Sequence, residues 1–541
     1  MTKEFRVYGP PGTGKTTWLS RQVERAVEKF GNGSVVVVSF TKAAAREVAG
    51  RKVPLPKENV GTLHAICYRA LGNPVIAESR IGEFNSFSRY KVSGARVSLD
   101  DPSLSEASEG AKEDDRALME MSRLRGLCVQ RDMWPLSVQS FAKEWDRWKE
   151  KTGYLDFTDL LEKAFERFPT CPGNPDVLFV DEAQDLNPLM VRLVRKWGAR
   201  TEQFILVGDD DQAIYEFIGA DPSAFLAVEL PEDHIKVLSQ SYRVPRAVHS
   251  WGEQWIRRVT SRASKDYLPR ECDGVLEHLG GVGYKSPERI LEHATGAIDE
   301  GKSVMVLTTC GYQLNSMLAL LKKEGIPFHN PFSNNGGWNP LRASRGVGVT
   351  ERLVSFLRPD PWLWPEPRGS WTWTDLATWT PLVYADKAGF IRGTKKMVTE
   401  WSANLPYGRP RMDEIFPEGS PIPDLLQGDD LDRKIEWLRD VARPEALEKL
   451  EYPLRILEKE GGVGLETPPQ IIVGTIHSVK GGQADRVYVC PDLSMAGYRE
   501  WMKDGRGRDA ILRQFYVAAT RAREDLYFCA PATSYFVDTG R

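Results

Sequence analysis

The octapeptide GPPGTGKT, Gly9 to Thr16, lies between a short apolar run, FRVYG, and the helical pattern KTTWLSRQVERAVEKF. It fits G-x-x-x-x-G-K-[ST] at a turn from strand to helix, the context that gives this pattern its meaning. Glycines there let backbone N–H groups wrap phosphate oxygens at the helix N-terminus. In that frame Lys15 reaches the β- and γ-phosphates and the Thr16 hydroxyl faces Mg²⁺. The loop predicts a nucleotide-binding α/β chain, with Gly9, Pro10, Pro11, Gly12, Thr13, Gly14, Lys15, Thr16 and Thr17 around the phosphates.

The rest of the chain keeps that order. SVVVVSF reads as a strand buried on both faces and TKAAAREVAG as a helix, and VLFVDEAQD and QFILVGDDDQ continue the alternation. Strand and helix in turn predict a parallel sheet covered by helices. A second series opens near residue 236 with IKVLSQSYR, continues with SVMVLTT, and resumes with QIIVGTIHS, DRVYVCP and DLYFCAP. At 541 residues the chain exceeds what one hydrophobic core supports. The predicted organisation is a first α/β domain over 1–72 and 151–235 and a second over 236–334 and 456–541. A polar, largely helical insertion occupies 73–150, and a Trp- and Pro-rich one 335–455. Residues 338, 362, 364, 371, 373, 379 and 401 carry seven of the 16 tryptophans, which predicts a small inserted domain with an aromatic core.

Bulk properties bound the partners. A net charge of -3 advertises no global positive field, so nucleic-acid binding has to come from local patches. Seven scattered cysteines without a CxxC pair fit neither a disulfide framework nor a zinc site. With no run long enough to span a membrane, the expectation is a reducing, cytoplasmic compartment and no membrane partner. The basic stretch 242–270 reads either as a phosphate contact or as a solvated helix face.

VLFVDEAQD delivers Asp181 and Glu182 at the carboxyl end of an apolar strand, where open α/β sheets bind their ligands. Asp181 suits a metal ion and Glu182 suits the base that activates water. Together with the loop these residues predict nucleoside triphosphate hydrolysis with Mg²⁺ as cofactor. What the hydrolysis drives is carried by other stretches: SFTKAAARE (39–47), GTLHAICYRAL (61–71), LVGDDDQAIYEFIGAD (206–221), LSQSYR (238–243), GTIHSVKGGQADRVYV (474–489) and YVAATRARE (516–524).

In order and spacing these stretches resemble the motifs of superfamily 1A helicases of the UvrD/Rep type, over most of the chain apart from the two insertions. The resemblance implies two RecA-like domains, ATP in the cleft between them and single-stranded DNA across their top. It implies accessory subdomains at the insertions and 3′-to-5′ movement on single strands, with single/double-strand junctions as substrates. Arg243 and Arg521 match the family's arginine fingers, Tyr242 the residue that stacks on adenine, and Gln212 one facing the γ-phosphate. Phe40, Thr41, Thr62, His64, Tyr215, Phe217, Thr475 and His477 match positions near DNA. Three departures stand out. The family's glutamine-bearing segment before the P-loop has no counterpart upstream of Gly9. Its aromatic–Arg–Gly is Phe217-Ile218-Gly219 here, and its ribose-binding glutamate corresponds to Gln483. The short stretch after Arg521 predicts no appended nuclease domain. Two other readings stay open: a translocase that strips proteins from DNA without processive unwinding, and a regulator whose nucleotide only switches nucleic-acid affinity.

Overall fold

Runs of β-branched and aliphatic residues without charge set the two sheets. Val35–Ser39, Val177–Asp181, Val304–Thr308 and Ile471–Thr475 are buried at every position, as expected of strands covered on both faces. The computed structural model describes residues 4–40, 55–93, 113–332, 337–343, 346–359, 370–428 and 430–540. Within it the strands are β1 (Glu4–Tyr8), β2 (Val35–Ser39), β3 (Val60–Thr62), β4 (Val177–Asp181), β5 (Gln203–Gly208) and β6 (Ile235–Val237). They continue as β7 (Val275–His278), β8 (Val304–Thr308), β9 (Phe328–His329), β10 (Ile471–Thr475), β11 (Ala484–Val489) and β12 (Ala522–Phe528).

Two six-stranded sheets form, ordered β3-β2-β4-β5-β1-β6 and β7-β12-β11-β8-β10-β9. Every pairing is parallel. The expected α/β architecture with two parallel sheets is therefore the observed one. One strand differs in its allegiance. The run at Ile235–Val237, read as the start of the second series, pairs with β1 and closes the first sheet. Leu238 N–H extends the ladder by donating to Tyr8 O at 2.8 Å. The strand is short and mostly exposed, so hydrophobic pattern gave no guide to its sheet.

Helices between β3 and β4 pack around Phe84, Phe141, Trp145 and Trp148 in a core of their own. That unit is tied down at Asp156, which caps the helix Phe157–Arg167. Its carboxylate accepts from Arg125 at 3.1 and 2.8 Å, from Lys149 at 2.6 Å and from the Trp145 indole at 3.0 Å.

The helices between β9 and β10 behave otherwise. Trp371, Trp373 and Trp379 are buried, but they belong to one continuous core with Val304, Val306, Ile471 and Val473 of the second sheet. The expectation of a separate aromatic core is corrected accordingly, because the insertion packs on a face of the sheet that carries it. Trp338 and Trp401 are exposed, and residues 362 and 364 lie outside the described residues.

Candidate nucleotide and nucleic-acid site

The turn after β1 is shaped by close approach. A Cβ on Gly9 would sit 2.1 Å from Lys15 Cγ, and one on Gly12 would sit 2.5 Å from Arg243 Cβ. Gly12 and Gly14 also hold φ of 75° and 79°, which glycine adopts at no steric cost. Gly9 N–H donates to Gly208 O at 3.0 Å, fixing the loop to β5. Lys15 Nζ folds over the loop and donates to Gly9 O at 2.7 Å. The loop has a roof as well. Ser241 Oγ and the Tyr267 hydroxyl donate to Pro11 O at 2.9 and 2.8 Å, and Tyr242 N–H donates to Gly12 O at 2.9 Å.

Strand β4 delivers Asp181 and Glu182 beside that loop. Glu182 sits at φ 51°, a left-handed conformation that costs a non-glycine residue about 1–3 kcal/mol and that clusters at functional sites. Its Oε2 accepts from Gln184 Nε2, while Gln184 Oε1 accepts from Asp209 N–H at 2.9 Å. The fully buried Gln184 thus couples the ends of β4 and β5, and Gly208 leaves room for it. Burial pushes the Glu182 carboxyl up, but Lys15 and then Lys480 outweigh it and hold the group below the usual carboxylate range. Asp185, three residues on, is pushed up to about 7, chiefly by burial, with Lys480 opposing. Thr16, Asp181 and Asp185 offer only hard oxygen donors, and Asp185 Oδ1 is buried with no hydrogen-bond partner. That set fits Mg²⁺, which takes one or two protein oxygens and completes its shell with phosphate and water. No cluster of three or more His, Cys, Asp or Glu ligands occurs among the described residues.

The second sheet supplies the opposite wall of a 970 Å³ cleft that runs from Pro10 and Lys15 to Gln483 and Arg521. Arg243 Nε donates to Gln483 Oε1 at 2.9 Å. Arg521 is 1% exposed and makes hydrogen bonds only to neutral oxygens: Val517 O at 2.9 Å, Gly482 O at 3.2 Å and Gln212 Oε1 at 3.1 Å. Burial, and then Arg243, bring its guanidinium down to about 9. A buried cation with no carboxylate in contact, facing a phosphate loop, is poised for an anion.

The segment 209–221 joins the two walls. Asp209, Asp210 and Asp211 are buried rather than solvated. Lys265 Nζ reaches all three at 2.7, 2.6 and 2.7 Å, and Arg262 holds Asp211 through two bonds of 2.8 and 2.6 Å. Both cations lie in the basic stretch 242–270 and are paired with these aspartates. Asp209 Oδ2 in turn accepts from Gln212 Nε2 at 2.8 Å. An acceptor on one side of the Gln212 amide and a guanidinium on the other fix its orientation. Lys480, which sequence reading passed over, donates to Asp185 and to Gln212 O, the latter at 2.8 Å, and lies over the Tyr215 ring at 4.9 Å.

Comparison with known proteins meets this geometry. The UvrD/REP helicase N-terminal domain matches residues 1–231. The first 231 residues are thus similar to the N-terminal domain of the UvrD/REP helicases. YjcD of Bacillus subtilis (strain 168) is 24% identical over 597 aligned positions, covering 96% of this chain and 76% of that protein. The ATP-dependent DNA helicase PcrA of Staphylococcus aureus (strain Mu50 / ATCC 700699) is 25% identical over 60% of this chain and 48% of its own length. PcrA of Bacillus subtilis (strain 168) is 25% identical over 49% of this chain, and the match spans 39% of that protein.

On the expected nucleic-acid side, the predicted residues divide by environment. Phe217 is exposed at 40%, with its ring against His477 at 5.1 Å. Tyr215, expected to touch a base, is 5% exposed and packs against Phe40 at 5.6 Å and His477 at 6.1 Å. His477 Nε2 contacts Ile214 O at 3.1 Å and its Nδ1 contacts Gln514 at 3.4 Å, so both ring nitrogens face protein. Thr62 is buried and caps the helix Leu63–Ala70 by accepting from Ala65 N–H, and Thr475 Oγ1 accepts from Ser478 N–H. Phe40 and His64 line a small pocket with Ile218 and Asn187. Thr41 lies outside the described residues. No helix among the described residues is long and apolar enough to cross a membrane.

Proposed function

We propose that the chain hydrolyses ATP in the cleft between its two sheets and uses the cycle to move along single-stranded DNA, 3′ to 5′, opening duplex at single/double-strand junctions. The observation that carries this reading is the composite cleft. Lys15, Thr16, Asp181 and Glu182 come from the first sheet, and Gln483 and Arg521 from the second, with Gln212 bonded to Arg521 across the divide. The names of the PcrA relatives support the same class of activity.

In this reading the loop and Lys15 hold the triphosphate, and Thr16 and Asp181 hold Mg²⁺, which supplies charge neutralisation on the phosphates when bound. Glu182, kept ionised by Lys15 and Lys480, accepts the proton of the attacking water. Arg521 and Arg243 neutralise charge on the leaving phosphates, and Tyr242, 73% exposed at the cleft mouth, offers a face to the base. Phe217 offers a stacking surface to the strand, and such stacking tolerates any sequence.

The test is ATP hydrolysis with and without single-stranded DNA, followed by strand displacement from duplexes with a 3′ or a 5′ tail. Stimulated turnover with unwinding of the 3′-tailed duplex is the expected result. Stimulated turnover without displacement would leave a translocase, and turnover that DNA does not accelerate would refute the reading.

A further inference from the structure

The resemblance leads one to expect an arginine between Phe217 and Gly219, but Ile218 has no polar atom to make such a contact. Two residues earlier the chain makes a charged contact of its own. Glu216 Oε1 accepts from Arg513 Nη1 at 2.8 Å, with Arg513 3% exposed. Arg513 Nη2 donates to Ser261 O at 2.9 Å, and its Nε is buried with no partner. Arg513 lies within the helix Arg506–Ala519, whose C-cap Thr520 immediately precedes Arg521. The same two segments are therefore joined by Glu216 to Arg513 and by Gln212 to Arg521, and Arg506 adds an ion pair to Asp221 at 3.5 Å.

We propose that Glu216 and Arg513 are a positioning pair that couples strand contact at Phe217 to the placement of Arg521; this rests on the function proposed above. Glu216 is the backbone neighbour of Phe217, so a base that stacks on the exposed ring shifts or steadies the carboxylate beside it. A buried guanidinium is costly to leave without its carboxylate, so the helix follows Glu216. Arg521, at the end of that helix, is repositioned against the cleft with it. The pair stands in for the contact that Ile218 cannot make, and it connects the strand to the cleft through a physical bond rather than through proximity alone.

The experiment measures ATP hydrolysis by the full chain with and without oligo(dT), for the parent, Glu216→Gln, Arg513→Met and the double variant. The basal rate is expected to stay within about twofold of the parent in every variant, which also reports that the cleft is folded, while the DNA-stimulated rate falls about tenfold in each. The double variant is expected to fall no further than either single one, as a directly coupled pair requires. Should Arg513→Met fail to fold, the isosteric Glu216→Gln decides alone. A stimulated rate in Glu216→Gln within about twofold of the parent overturns the pair, as do losses that multiply in the double variant or a basal rate that falls in step. A parent whose hydrolysis ignores DNA refutes the proposed function and the pair with it. A stimulated parent with an unchanged Glu216→Gln refutes the pair alone.

Discussion

Replacing Lys265 by methionine should destabilise the protein in a pH-dependent way, and the size follows from counting charge. Asp209, Asp210 and Asp211 carry three negative charges against the two positive charges of Lys265 and Arg262, a net of -1 for five buried or half-buried groups. Without Lys265 the balance becomes three against one, a net of -2, and Asp209 and Asp210 lose the cation in contact with them. Removing one partner of a buried ion pair typically costs about 3–5 kcal/mol. Methionine nearly preserves the side-chain volume, so the deficit reports charge rather than a cavity. The pH dependence separates the two causes. In the parent Asp209 is held below the usual carboxylate range because Lys265, followed by Lys15, outweighs its burial, so its stabilisation is present above the unfolded pKa and lost as pH falls through the folded one. In the parent Asp210 already stands above the usual carboxylate range, chiefly through burial; in the variant it rises further, and Asp209, left with Lys15 as its opposing cation, rises with it. Groups of that kind stabilise most at low pH and lose the contribution as pH rises, so the deficit should be largest near pH 8 and shrink toward pH 5. Urea denaturation of parent and variant at both pH values measures this. A deficit below about 1 kcal/mol, or one of the same size at both pH values, would refute the argument.

Glu182→Gln keeps the shape of the site and removes the base, so nucleotide binding by fluorescence titration should persist while hydrolysis is lost. Near-normal turnover would remove Glu182 from that role. Phe217→Ala should leave DNA-independent hydrolysis intact and weaken single-strand binding by about one stacking contact, 1–3 kcal/mol, measured by anisotropy. Unchanged affinity would mean that the ring serves only to pack against His477.

The two sheets were legible in the sequence because uncharged β-branched runs such as VVVV at 35–38 can only be strands covered on both faces. The phosphate loop was legible because its chemistry is local, with eight consecutive residues carrying the backbone geometry and the lysine. Long-range pairing was not. Nothing near Asp209 to Asp211 announces Lys265, more than fifty residues away, so the three adjacent acids show no sign of their cation until the fold brings it to them. Thr62 illustrates the opposite trap. A threonine before an apolar helix has a sufficient role as a cap, and the cap is what its hydroxyl does. Tyr215 and Phe217 sit two residues apart with the same chemistry, and only packing against Phe40 and under Lys480 distinguishes the buried ring from the exposed one.

Arg243 and Arg521 face one cleft but are anchored differently, and that difference predicts different kinetics. The backbone beside Arg243 is bonded to the phosphate loop itself, Tyr242 N–H to Gly12 O at 2.9 Å and Ser241 Oγ to Pro11 O at 2.9 Å. The backbone at Arg243 therefore keeps its station over Gly12, while its Nε reaches across to Gln483 of the second sheet's half at 2.9 Å. Arg521 donates two of its three hydrogen bonds to Val517 O and Gly482 O of the second sheet's half, and the third, to Gln212 Oε1, crosses to the first. A change in the closure of the cleft therefore moves Arg521 relative to Lys15, while the backbone of Arg243 stays with the phosphate loop. If DNA accelerates hydrolysis by closing the cleft, Arg521→Ala should remove most of the acceleration and depress the basal rate less. Arg243→Ala should lower basal and stimulated rates by the same factor. Loss of such a guanidinium costs up to about 10³- to 10⁵-fold in turnover, so the two patterns are separable by steady-state hydrolysis with and without single-stranded DNA. Equal proportional losses in both variants would mean that the two arginines share one frame and that closure does not control the site.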